Sequence, residues 1–260
     1  MHFLYSGKCR AAGRRGEEAS LSEIFVYQTA TGEADAAAAE ALRRSLSADE
    51  RARAARLHQF EAARDFMAAH ALTRHALRER YGITAPAYEI GAFGKPRLDG
   101  RGPRFSLTHA RGLVACAFSS ELEIGVDAEA NTPPADRDLI ARDICAPEEA
   151  AAFEAADPQR RDEHFLRLWT LKEAVTKATG LGAQLEPRDF AVDLAVDSAV
   201  DLASPALARA CPELQPGRQW RLWQWRRDPS HIVALAARGE AVALAEVRRV
   251  DISIETLTRG

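Results

Sequence analysis

The clearest pattern of hydrophobic positions in the chain lies within residues 165–180. Apolar residues recur there at steps of three and four, which is the spacing of one buried stripe on an α-helix. Gly180 stands where this helix would end, because glycine tolerates the left-handed backbone just past a last helical turn. We predict a helix buried along one stripe, formed by Leu168, Leu171, Val175 and Ala178.

Two charged residues of the predicted helix lie away from this stripe. Glu173 and Lys177 are four residues apart, so roughly 6 Å separates them along the helix axis. A Glu–Lys pair at this spacing on a protein surface contributes only about 0.3–0.5 kcal/mol to helix stability. For the helix alone, a solvated surface pair is the favoured interpretation, and a functional role depends on the rest of the chain.

The first third of the chain predicts a strand followed by long helices. Residues 23–28 are rich in β-branched and aromatic types, which favour a strand. Ser47 and Glu50 match the capping box of a helix start, and the helical pattern then extends to about residue 82 with a break near residues 58–59. Most arginines of this segment are interpreted as a solvated helix face.

Three strands are predicted in close succession after a turn at residues 91–96. Glycines and Pro96 mark the turn, since glycine supplies permissive backbone and proline forces the residue before it to be extended. The strands span residues 104–109, 113–118 and 122–127 and are joined by short links. This arrangement predicts an antiparallel meander.

The third of these strands carries a closely spaced pair of carboxylates, Asp127 and Glu129, on one face. Apolar residues alternate from Leu122 to Val126, so Glu123, Gly125, Asp127 and Glu129 belong to the opposite face. The two acids lie roughly 6.6 Å apart along extended chain, and Mg²⁺ prefers such oxygen ligands. Gly125 leaves room for a close neighbour. The simpler interpretation, a solvent-facing strand that runs into a turn, stays open at this point.

Two consecutive prolines mark the strongest boundary in the chain. Asn131-Thr-Pro-Pro134 cannot continue inside a sheet or a helix. After this boundary, the order of elements repeats as helices followed by strands, which predicts an α+β fold of two similar halves with antiparallel sheets, residues 22–130 and 131–260. The predicted elements of the second half are a helix from Pro147, the helix at residues 165–180, and strands at residues 190–196, 220–225, 231–237 and 247–252.

Composition is that of a globular protein with a sizeable core, since 47% of the 260 residues are hydrophobic and 28% are charged. A formal net charge of −3 argues against a nucleic-acid partner. The four cysteines lie far apart, which argues against a zinc site or a disulfide framework and favours a reducing compartment. Residues 1–21 contain no secretory or membrane-spanning pattern, so we expect a loosely ordered extension and a cytoplasmic protein without a membrane partner.

Lysine is rare in this chain, because only four of the 35 basic residues are lysines. A compact ammonium group is not interchangeable with the planar guanidinium of arginine. The retained lysines suggest positions that need an ammonium group, and three of them follow the N-terminal extension, at Lys95, Lys172 and Lys177.

Four short motifs occur in a fixed order: Gly94-Lys-Pro96, Phe105-Ser-Leu-Thr-His109, Ile124-Gly-Val-Asp-Ala-Glu129, and Trp169-Thr-Leu-Lys-Glu-Ala-Val-Thr-Lys177 with Gly180-Leu-Gly182. As an ordered set they closely resemble the 4′-phosphopantetheinyl transferases of the Sfp type, and the similarity in layout spans about residues 22–253. The resemblance implies a monomer of two similar α+β halves, a pseudo-dimer, with coenzyme A and Mg²⁺ bound in the cleft between them.

The resemblance also implies roles for individual residues. The metal ligands would be Asp127, Glu129 and Glu173, and the catalytic residues Asp127, Glu173 and Lys177. Thr108 stands where the family often has serine, a departure that keeps the hydroxyl group. Contacts with coenzyme A are implied for Arg53, Arg64, Lys95, Pro96, Thr108, His109 and Lys177.

The implied reaction is Mg²⁺-dependent transfer of the 4′-phosphopantetheine group of coenzyme A to a serine of an acyl or peptidyl carrier protein, with release of 3′,5′-ADP. Two alternatives remain. A metal-dependent phosphoester hydrolase would cleave coenzyme A or a nucleotide without a carrier protein, and a non-enzymatic adaptor would bind partners through its charged helices. The sequence does not indicate which carrier protein or pathway is served.

Overall fold

The computed structural model describes residues 22–100, 102–194, 205–215 and 219–259, so the extension predicted at residues 1–21 lies outside the described part. The strands are β1 Glu23–Ala30, β2 Tyr88–Ile90, β3 Pro96–Leu98, β4 Arg104–Ala110, β5 Leu113–Ser119, β6 Glu123–Ala130, β7 Ala191–Asp193, β8 Ala206–Arg209, β9 Trp220–Asp228, β10 His231–Arg238 and β11 Glu246–Asp251. The helices are α1 Ala36–Arg44, α2 Ala48–Ala54, α3 Phe60–Tyr81, α4 Arg137–Ile144, α5 Pro147–Ala155, α6 Arg161–Thr179 and α7 Ile254–Thr258. Within the described ranges, none of the helices has the length and apolar character needed to cross a bilayer.

Two main sheets organise the fold. The larger has the strand order β11-β1-β5-β4, and the smaller has the order β6-β10-β9. Strands β4 and β5 form the predicted antiparallel hairpin, in which Arg104 pairs with Ser119 and Ala110 with Leu113. The predicted turn at residues 91–96 connects the short strands β2 and β3. The mixed α+β class with mainly antiparallel sheets is confirmed.

The predicted meander is wrong in its third strand. Strand β6 joins the smaller sheet, where it runs antiparallel to β10 with Asp127 opposite Ala234. The apolar residues from Leu122 to Ala128 lie in a core cluster with residues of β1, β5 and β10. The other face of β6 packs on α6. Burial of both faces removes more apolar surface from water than a third position in an exposed meander would, which favours the observed arrangement.

The last strand of the chain, β11, belongs to the larger sheet, although β9 and β10 before it belong to the smaller one. Strand β11 pairs in parallel with β1 at the edge of the larger sheet, where Val247 lies opposite Ile24. Helix α7 then packs on α1 and α3, and its Leu257 is buried in the core of that side. The final strand of each predicted half therefore lies in the sheet that contains strands of the other half.

The helix predicted within residues 165–180 is confirmed as α6. It begins at Arg161, earlier than predicted, and ends at Thr179 with Gly180 in the left-handed conformation. The residues of its predicted apolar stripe are all buried. Because α6 packs against both β6 and β10, its polar residues lie beside those of β6.

The capping box at the start of α2 is also confirmed. The Ser47 hydroxyl accepts a hydrogen bond from the Glu50 N–H, and the Glu50 carboxylate accepts one from the Ser47 N–H. The predicted break lies between Ala54 and Phe60, and α3 ends at Tyr81, followed by Gly82 in the left-handed conformation. The helices α1, α4 and α7 and the short strands β2, β3 and β8 were not predicted.

Protonation of Glu50 is expected to destabilise the fold in acid. Burial of the carboxyl opposes its ionisation, but hydrogen bonds from His70, the Ser47 N–H and Arg74 outweigh this effect and lower the pKa of Glu50 from 4.5 to about 2. A depressed pKa stabilises the fold above the unfolded-state pKa by about 3 kcal/mol, and this contribution is lost as the pH falls from about 4.5 to about 2.

Urea unfolding of the native protein and of Glu50→Gln between pH 7 and pH 3 tests this expectation. The difference in the free energy of unfolding between the two proteins should be largest at neutral pH and shrink as the pH falls. A difference that stays constant over this range would contradict it.

Candidate active site

Strand β6 and helix α6 approach each other more closely than an intervening side chain would allow. A Cβ atom at Gly125 would lie 2.1 Å from the carbonyl oxygen of Ala174 and 2.3 Å from the backbone nitrogen of Ala178. The close neighbour expected at Gly125 is therefore the α6 backbone itself. This contact sets the carboxylates of β6 alongside the polar face of α6.

Asp127 is the most enclosed acid of this region and is only 4% exposed. Its Oδ1 accepts hydrogen bonds from Lys177 Nζ at 2.5 Å and from the Thr108 hydroxyl at 3.1 Å. Its Oδ2 is buried and has no hydrogen-bond partner among the described residues. Because an unpaired buried carboxylate oxygen is energetically costly, this atom marks a place where a cation or a donor would be stabilising.

Glu129 lies in the extended chain of β6, as predicted, and is half-buried. Its Oε1 accepts a hydrogen bond from the indole nitrogen of Trp169 on α6 at 2.9 Å. Burial, reinforced by the charge of Asp127, raises the pKa of Glu129 to about 7. The alternative of a solvent-facing strand is wrong for these acids, because α6 covers this face of β6.

Glu173 projects from α6 toward the same region. Burial, and then the charge of Asp127, raise the pKa of Glu173, and Glu173 in turn contributes to the raised pKa of Glu129. The three carboxylates therefore interact electrostatically. In the described part of the chain, no three His, Cys, Asp or Glu side chains are arranged to hold a metal ion as they stand, and the positive group next to Asp127 is the Lys177 ammonium.

A pocket of about 700 Å³ adjoins this group of residues. Its wall includes Glu173 and Lys177 from α6 and His109 from β4. Burial, and then the charge of Lys177, lower the pKa of His109. On another part of the wall, the Arg53 guanidinium lies 5.5 Å from the centre of the Phe66 ring. The pocket thus combines cationic groups with an aromatic surface and is within the size range of small-molecule sites.

Lys95 lines the pocket, but its ammonium group is engaged with the backbone. The Nζ atom donates to the carbonyl oxygens of Ile124 at 2.9 Å and Ala178 at 3.3 Å. Burial lowers the pKa of Lys95 to about 8. Lys95 therefore fastens the turn between β2 and β3 to β6 and to the C-terminal end of α6, and Pro96 follows it on the pocket wall.

Replacing Lys95 with methionine is expected to lower the free energy of unfolding by roughly 1–3 kcal/mol, because two carbonyl oxygens lose their donor. Arg97→Met is the matched control, since Arg97 is an exposed basic residue on the same ribbon and its change should stay within about 0.5 kcal/mol. Chemical denaturation measures both variants. Equal stability of the two variants would contradict the fastening role.

Lys172 faces away from the pocket and is fully buried. Its Nζ contacts Glu149 Oε2 at 2.8 Å and donates to the carbonyl oxygens of Pro187 at 2.7 Å and Phe190 at 2.8 Å. All three donors of an ammonium group are thereby satisfied. The need for lysine at this position is explained by packing within the second half of the chain.

Two residues expected to contact coenzyme A do not line the pocket. Arg64 is 5% exposed, and its Nε donates to Asp65 Oδ1 at 2.9 Å. Thr108 is buried and bridges two charged groups, because its hydroxyl donates to Asp127 and accepts from Lys177. The structure brings together the acids, Lys177, His109, Lys95, Pro96 and Arg53 at or beside the pocket, but not Arg64.

Sequence reasoning missed Trp169 as a member of this site. The available signal was the spacing of Trp169, which precedes Glu173 by four residues, as Glu173 precedes Lys177. The three residues therefore share one face of α6. The aromatic wall residues Phe66 and Tyr88 carried no comparable signal, because their spacing fits an ordinary core.

Comparison with known protein families identifies the chain. The family model described as the 4′-phosphopantetheinyl transferase superfamily matches residues 123–243. This range begins at the start of β6 and includes all of α6.

Individual relatives carry the same family name. The 4′-phosphopantetheinyl transferase HetI of Nostoc sp. (strain PCC 7120) is 31% identical over 202 residues, which cover 75% of this chain and 79% of HetI. The 4′-phosphopantetheinyl transferase AcpT of Escherichia coli (strain K12) is 34% identical over 118 residues, 44% of this chain and 57% of AcpT. Sfp of Bacillus subtilis (strain 168) is 28% identical over 152 residues, 57% of this chain and 66% of Sfp. Because HetI is 31% identical and matched over 79% of its length, this chain belongs to the 4′-phosphopantetheinyl transferases, a family of enzymes.

Proposed function

We propose that this enzyme transfers the 4′-phosphopantetheine group of coenzyme A to a serine of an acyl or peptidyl carrier protein, in a Mg²⁺-dependent reaction that releases 3′,5′-ADP. One observation carries the proposal. Asp127, Glu129 and Glu173 lie beside a pocket with cationic walls, and the buried Oδ2 of Asp127 has no partner among the described residues.

The residues present fit a hard divalent cation. All three acids offer carboxylate oxygens, which Mg²⁺ prefers, and Mg²⁺ commonly combines one or two carboxylates with substrate phosphates. Lys177 is 31% exposed, so its side chain has room to turn from Asp127 toward a phosphate. Bound there, the cation would polarise the pyrophosphate of coenzyme A and stabilise the charge of the departing phosphate.

The side chains of α6 supply the remaining chemistry. Glu173 accepts the proton of the carrier serine, directly or through a water molecule, as the serine oxygen attacks the β-phosphorus of coenzyme A. The bond between this phosphorus and the oxygen of 3′,5′-ADP breaks, and Lys177, one turn along the helix, neutralises the departing phosphate. The raised pKa of Glu173 makes its carboxylate a better proton acceptor near neutral pH.

Coenzyme A is proposed to lie in the pocket between the two halves of the chain. The wall is built from residues between 47 and 109 and residues between 173 and 182, which lie on opposite sides of the boundary at residues 131–134. Arg53 and His109 are placed to contact its phosphates. Because one chain supplies both sets of residues, the proposed site is complete without a second copy, which supports a monomeric enzyme.

Release of 3′,5′-ADP tests this proposal and separates it from hydrolysis. The enzyme is incubated with coenzyme A in four mixtures, with and without an apo carrier protein and with Mg²⁺ or a chelator, and the nucleotide is measured by chromatography. We expect release only when both the carrier protein and Mg²⁺ are present. Release without a carrier protein would favour a hydrolase, and release in the chelator would contradict the metal requirement.

A further inference from the structure

Helix α6 holds one oxygen of each of two β6 carboxylates, Asp127 and Glu129. Lys177 Nζ contacts Asp127 Oδ1 at 2.5 Å, and Trp169 Nε1 donates to Glu129 Oε1 at 2.9 Å. The two donors are eight residues apart on α6, with Glu173 midway between them. The second oxygen of each carboxylate is left out of these two contacts, and for Asp127 this atom is buried without a partner among the described residues.

We propose that Trp169 is a positioning residue that holds Glu129 through its indole N–H and thereby directs the free oxygen of Glu129 toward the divalent cation. This inference rests on the proposed function, since it concerns the same metal site. A side chain that bonds to a metal ligand fixes the orientation of that ligand, and removal of such a partner typically weakens metal binding by about 10- to 100-fold.

The surroundings of Trp169 make the role specific to the indole nitrogen. The ring is half-buried and stacks on Phe165, with ring centres 6.1 Å apart and planes at 21°. Phenylalanine at this position would keep the stacking surface and lose only the donor. Trp169→Phe therefore separates the hydrogen bond to Glu129 from the packing of the ring.

Trp220→Phe is the matched control. The indole nitrogen of Trp220 donates to the carbonyl oxygen of Leu214 at 3.2 Å, and the ring is also partly buried. This substitution also removes one indole hydrogen bond, but its acceptor is a backbone carbonyl and not one of the three carboxylates of the site. Any effect common to the two variants reports stability, and an effect confined to Trp169→Phe reports the metal site.

Calorimetric titration of the enzyme, saturated with coenzyme A, with MgCl₂ measures the effect on metal binding directly, because substrate phosphates complete the proposed metal site. We expect Trp169→Phe to bind Mg²⁺ about 10- to 100-fold more weakly than the native enzyme and Trp220→Phe to bind it with native affinity. Native affinity in Trp169→Phe would overturn the positioning role and leave the proposed function standing. No Mg²⁺ binding by the native enzyme would overturn the metal requirement itself, and the positioning role with it.

NMR of the native enzyme and of Glu129→Gln keeps the inference testable if Trp169→Phe does not fold. The chain has four tryptophans, and ¹⁵N labelling of their indole groups resolves each N–H by NMR. One indole signal should shift on addition of MgCl₂, and the same signal should shift in Glu129→Gln without metal. Mg²⁺ binding that moves a different indole signal, or none, would overturn the inference.

Discussion

Replacing Gly125 with alanine is expected to lower the free energy of unfolding by more than about 4 kcal/mol and to abolish activity in any protein that folds. The added methyl group would lie 2.1 Å from the Ala174 carbonyl oxygen and 2.3 Å from the Ala178 nitrogen. These are backbone atoms of a hydrogen-bonded helix, so they cannot turn aside as a side chain would. To admit the methyl group, β6 must move away from α6, which also separates Asp127 from Glu173.

Gly32→Ala provides the control for this substitution. A Cβ atom at Gly32 would have no atom within 4 Å, so this change should leave stability within about 0.5 kcal/mol of the native value. Thermal and urea unfolding compare both variants with the native protein. A Gly125→Ala variant with native stability and activity would show that the close contact of β6 with α6 is not required for the site.

Replacing Glu173 with glutamine is expected to lower kcat by about 100- to 1000-fold with little change in stability. Glutamine keeps the shape of the side chain but cannot accept the serine proton or contribute a negative charge to the metal site. Glu173 is half-buried and lines the pocket, so its replacement by an isosteric amide should not disturb the packing of α6.

Glu163→Gln is the control for the loss of a carboxylate on the same helix. Glu163 is paired with Arg226 at the start of α6, on an exposed part of the surface, and an exposed ion pair contributes no more than about 1 kcal/mol. Steady-state transfer assays at saturating coenzyme A compare the two variants. Native kcat in Glu173→Gln, or an equal loss in Glu163→Gln, would remove Glu173 from the proposed mechanism.

Local elements of the fold could be predicted because their signals lie within a few residues. The stripe and the terminal glycine predicted α6, and the capping box predicted the start of α2. The partner of β6 could not be predicted, because alternation identifies a strand and its faces but not the strand beside it. Short elements such as α4 and the β2–β3 ribbon carry too few periodic positions to stand out.

The acids of the candidate site could be predicted more fully than its basic residues. Gly125 and the alternation of β6 predicted a close neighbour for Asp127 and Glu129, and α6 is that neighbour. The rarity of lysine did not distinguish a site residue from a structural one, since Lys172 needs an ammonium group only to satisfy a buried carboxylate and two carbonyl oxygens. Such burial depends on contacts between distant segments, which leave no local pattern.

Transfer to a carrier protein is the central claim, and the intact mass of the carrier tests it most directly. An apo carrier protein is incubated with the enzyme, coenzyme A and Mg²⁺, beside a carrier whose acceptor serine is replaced by alanine. We predict that the first carrier gains the mass of one phosphopantetheine group and that the second is unchanged. An unmodified carrier across a panel of acyl and peptidyl carrier proteins, with folded enzyme and intact coenzyme A, would contradict the account.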